Sequence, residues 1–66
     1  MSQANDVLNY LTTRVDGELA NIEQDLAVGH AKDYAEYKHT CGIYRGLLLA
    51  KNIITETLER METDNE

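Results

Sequence analysis

"VGHAKD", residues 28–33, is the strongest punctuation in a 66-residue chain that contains no proline. Gly29 lacks the Cβ that obstructs left-handed backbone, so it suits the C-terminal cap of a helix. Asp33 suits the N-cap of a following helix, and Glu36, three residues on, is its capping-box partner. Outward from this turn the chain reads as one helix on each side. The fold class is all-α, an antiparallel two-helix hairpin with helices over about 3–28 and 33–61.

Before the turn, Ala4, Leu8, Leu11, Val15, Leu19, Ile22 and Leu26 recur at steps of three and four. At about 100° per residue they fill a stripe roughly 80° wide. So narrow a stripe resembles a coiled-coil seam more than the broad face of a globular helix. Asp16-Gly17 has turn chemistry, but Val15 and Leu19 keep phase across it. Gly17 therefore reads as an interior glycine that costs about 1 kcal/mol against alanine, or as a kink.

After the turn, the apolar residues form more than one line. Tyr34, Tyr37, Cys41, Tyr44 and Leu48 share one face. Ile43, Leu47, Ala50, Ile54, Leu58 and Met61 share a second, rotated by roughly 120°. A third joins Ala35, Gly42, Gly46, Leu49 and Ile53. Between residues 42 and 54 this helix is apolar nearly all round, which predicts burial on several sides. A single first helix covers one line. Self-association of hairpins into a helical bundle, as a dimer or a higher oligomer, or a different partner protein, would cover the rest.

Composition narrows the classes. The chain is one domain, 1–66, with an acidic tail expected to fray from about Glu62. Twelve acidic and six basic side chains give a formal charge of −6, which disfavours direct nucleic-acid binding. The longest uninterrupted apolar run, Leu47 to Ala50, is far too short for a membrane span. No charged-then-apolar leader opens the sequence, so secretion is not expected. The single cysteine, Cys41, excludes an intrachain disulfide and fits a reducing compartment.

Chemistry has few candidates. His39 and Cys41 lie two apart, with His30 and Asp33 in the turn, and positions two apart on a helix do not face the same way. That is not a zinc spacing, so no metal and no cofactor are expected. The same geometry denies Cys41 a base, and no phosphate loop, HExxH or GxSxG occurs. Catalytic residues are therefore not expected, and the chain does not read as an enzyme. The candidate site is an interaction face: Tyr34, Tyr37, Cys41, Gly42, Tyr44, Arg45, Gly46, Leu48, Leu49 and Ile53. Gly42, Gly46 and Ala50 form a small-xxx-small series that lets a neighbouring helix approach closely. That neighbour is either the first helix of the same chain or a helix from another. Tyrosines suit interfaces because one end is apolar and the other wet. Arg45 suits a cross-interface ion pair or a stem that snorkels to water.

The stretch "GHAKDYAEYKHTCGIYRGLLLA", residues 29–50, resembles a segment of small proteins of tailed bacteriophages. The likeness consists of a turn followed by "AKDYAEYKHTCG", then the glycine-bounded "GIYRG", then an apolar helix. It covers the middle third of the chain; the first helix and tail match only in character. Genes of that family often lie near those for head and packaging functions. The resemblance thus implies a virion or morphogenesis role, with a phage structural protein as partner and no catalytic residues. The expected place is the host cytoplasm or the virion itself. The alternative is a small acidic phage protein that binds and inhibits a host enzyme of transcription, nucleic-acid cleavage or defence.

Overall fold

The computed structural model describes residues 3–64. They form two helices and no strand: α1, Gln3–Ala27, and α2, Tyr34–Asp64. The pair lies antiparallel as a rod of 50 × 14 × 13 Å. At 1.5 Å per residue α2 alone accounts for about 46 Å of that length.

The turn is built by local chemistry. Gly29 is the one described residue with positive φ, at 77°. Its N–H donates to Leu26 O at 3.2 Å, and His30 N–H donates to Asp25 O at 3.1 Å. This pair of bonds is the Schellman arrangement, and it satisfies carbonyls that the end of α1 would otherwise leave open. The exposed His30 ring adds a contact to the same residue, Nδ1 to Asp25 Oδ1 at 3.3 Å. At the start of α2, Asp33 Oδ1 accepts from Glu36 N–H at 2.8 Å. The Glu36 carboxylate accepts from Lys32 N–H at 3.2 Å, so the box closes one residue before the cap's own amide.

The seam between the helices keeps a three-four alternation on both sides. On α1 the less exposed positions are Asn5, Leu8, Thr12, Val15, Leu19, Ile22 and Leu26. On α2 they include Thr40, Tyr44, Leu47, Lys51, Ile54, Leu58 and Met61. A strict seven-residue repeat of this kind keeps two helices in contact along their length. This corrects the expected first stripe near its start: Ala4 and Leu11 are exposed, and Asn5 and Thr12 take their place. Thr12 can do so because its hydroxyl donates to Leu8 O at 3.0 Å, so its polar group is satisfied within its own helix. Ile43, grouped by sequence with Leu47 and Ile54, is 47% exposed and lies outside the seam.

Two polar contacts fix the register. Tyr44 Oη donates to Glu23 Oε2 at 2.6 Å, and Lys51 Nζ lies 2.7 Å from Asp16 Oδ1. The two contacts are seven residues apart on each helix, so they belong to one alignment. Gly17 does not interrupt α1, which runs unbroken through it. α2 continues three residues beyond the expected end at Met61, to Asp64; positions 65 and 66 lie outside the described residues.

Candidate interaction surface

The hairpin encloses little. Among the described residues only Leu19 is buried, and it keeps 5% exposure. Much of the apolar content of α2 points away from α1. Opposite the seam, within about 60° of its back, stand Gly42, Gly46, Leu49 and Ile53. Leu49 is 62% exposed and Ile53 is 56% exposed. A Cβ placed on Gly42 or on Gly46 would meet nothing within 4 Å. Of the two neighbours open to the small-residue series, α1 is therefore not the one: the crossing inside the hairpin does not use these glycines.

The other expected face residues divide between two locations. Tyr34 and Tyr37 are exposed on the first turns of α2, which extend beyond the end of α1. Their rings stack at 6.4 Å with planes 25° apart, and Lys38 Nζ sits 5.6 Å over the Tyr34 ring. Cys41 is half-buried beside them. The Tyr37 hydroxyl titrates above the ordinary tyrosine range, first because it hydrogen-bonds to Cys41 and then because charge on that sulfur opposes a second anion. Leu48 is exposed at 39%, and Arg45 is exposed on the flank of the glycine pair. Tyr44 turns the other way. It belongs to the seam, and its bond to Glu23 raises its pKa, with desolvation and the carboxylate's charge as smaller causes.

Some features were not read from the sequence. One is the cross-helix pair Lys51–Asp16; the three-four count through Tyr44, Leu47, Lys51 and Ile54 would have found the lysine. A second is an apolar patch on the outside of α1, where Val7, Tyr10 and Leu11 are 52%, 59% and 42% exposed. A third is a shallow depression lined by Ile53, Glu56, Thr57 and Arg60. These are positions i, i+3, i+4 and i+7 of one helix, the four residues that bound the hole into which a facing helix inserts a side chain. A neighbouring depression, between Glu56, Glu59, Arg60 and Thr63, is also made by α2 alone. Walls from a single helix surround no small molecule.

Among the described residues no helix is long and apolar enough to cross a membrane. Comparison of the chain with protein-family models, curated proteins and solved structures finds no match.

Proposed function

We propose that this chain is a non-enzymatic accessory protein of a tailed bacteriophage: a self-associating helical hairpin that docks on a virion or head-assembly component. The observation that carries the reading is the outward face of α2, where Leu49 and Ile53 stand exposed beside two glycines that the hairpin's own packing leaves open. Two interior glycines weaken a helix by about 1 kcal/mol each, and close approach of another helix would offset that. The resemblance of residues 29–50 to tailed-phage proteins supplies the setting. The net charge of −6 and the single-helix depressions favour protein contacts over nucleic-acid or small-molecule binding.

The test is peptide mass spectrometry of purified, DNA-filled virions of the source phage, with this chain quantified against the major capsid protein. A fixed copy number per particle is the expected result. Absence from virions, with the protein present in infected cells, would overturn the virion role and favour an inhibitor of a host enzyme.

A further inference from the structure

The outward face of α2 has a pattern that is complementary to itself when reversed. Continued at the three-four spacing, it reads Ala35, His39, Gly42, Gly46, Leu49, Ile53, Glu56 and Arg60. The first four carry two glycines, an alanine and a base; the last four carry two large apolar side chains, an acid and an arginine. We propose that the occupant of this face is a second copy of the chain, packed α2 against α2 and antiparallel, with the twofold axis between Leu47 and Leu48. The inference rests on the reading of this face as an interaction surface and names its partner, orientation and register.

In that register each Leu49 enters the hole floored by Gly42 and Gly46 of the other copy. Each Ile53 comes opposite the other copy's Gly42. The observed depression between Ile53, Glu56, Thr57 and Arg60 faces the other copy's Lys38 and His39. Glu56 is thereby placed against base from the partner, and Lys38 and Glu56 lie on the same flank of the face. A parallel pair loses both matches. It sets glycine against glycine, leucine against leucine and Glu56 against Glu56, which leaves voids and repulsion where the antiparallel pair has contact.

Surface area agrees with this occupant. The hairpin exposes 5235 Å², where a compact monomer of its mass exposes about 4,200 Å². The excess, about 1,000 Å² per chain, is of the size that a standard interface removes from each partner. The resulting order is α1–α2–α2–α1, with the two α2 helices back to back and each α1 on the outside.

The experiment combines sedimentation equilibrium with spin-label distances on the full chain. The unaltered protein is expected to be a dimer. Gly46→Leu is expected to weaken it at least tenfold while helix content by circular dichroism does not fall, because a Cβ there meets no side chain and no part of α1 within 4 Å. Gly17→Ala, on the exposed side of α1, is expected to leave the dimer intact. A nitroxide on Glu59→Cys in a Cys41→Ser background should report a pair separation of about 35 Å, from 1.5 Å per residue along two reversed helices. A short separation of about 15 Å would mean parallel pairing and overturn the proposal. A monomer throughout would overturn it too. If that monomer is still present in virions at fixed copy number, and Gly46→Leu removes it, the face remains an interaction surface and only the second copy is wrong. If Gly46→Leu changes nothing in virions either, both readings fail.

Discussion

Tyr44 is the residue at which the hairpin's chemistry is most easily measured. Its hydroxyl donates to the Glu23 carboxylate across the seam at 2.6 Å, and that bond is the main reason its pKa is raised. A phenol protonated more firmly in the folded than in the unfolded chain stabilises the fold fully below the unfolded value of about 10. The contribution is lost as pH rises through the higher folded value. Urea midpoints taken from about pH 8 to pH 11 should therefore fall for the natural chain with a component that Tyr44→Phe lacks. Parallel curves for the two proteins would show that the Glu23 contact does not form in solution. Gly46 is the contrasting residue. A Cβ on it would meet no side chain and nothing of α1 within 4 Å, so an effect of changing it on assembly is not relayed through the packing of the two helices.

At the scale of the elements, two helix ends carry the topology. Gly29 at φ 77° is where a side chain is disfavoured by backbone sterics, and open space around its Cβ does not alter that. Gly29→Ala should cost about 1–2 kcal/mol, read as a lower urea midpoint at unchanged slope. Asp33→Ala should cost about 1 kcal/mol by removing the 2.8 Å cap on Glu36 N–H. A midpoint unmoved by Gly29→Ala would argue against the left-handed cap. Both ends were readable in the sequence because a cap is chosen by one or two residues acting on adjacent backbone. The seam was readable in its centre, where Val15, Leu19, Ile22 and Leu26 leave no choice of phase. It failed toward the start of α1, where apolarity favoured Ala4 and Leu11 while the heptad alignment selected Asn5 and Thr12. A threonine that bonds its own backbone is cheap to bury, and a hydrophobic count does not register that. The candidate face was readable as a surplus of apolar positions. Its division was not, because Tyr44 turns inward while Leu49 turns outward, and that depends on where α1 lies.

At the scale of the whole molecule, shape and stability are one question. The Cα radius of gyration is 15.2 Å, against about 11 Å for a compact chain of this length. A rod of this kind has one buried side chain among its described residues, and short chains with so small an interior usually draw on a metal, disulfides or association. The lone Cys41 cannot form a disulfide within the chain, and the pairing proposed for the outward face of α2 would supply association. Folding should then be coupled to pairing, and the melting temperature should depend on concentration. Where the folded hairpin is mostly dimer, each tenfold rise in chain concentration should raise it by about 5 °C. Calorimetric scans from about 5 to 500 μM would therefore span roughly 10 °C. Gly46→Leu should flatten that dependence toward the monomer limit and raise the low-concentration melting temperature by about 4–8 °C, because it removes a glycine that costs the helix about 1 kcal/mol. A melting temperature independent of concentration in the natural chain would mean that the seam from Leu8 to Leu26 holds the hairpin unaided. The exposed Leu49 and Ile53 would then be maintained against their cost in water without any stabilising return from pairing.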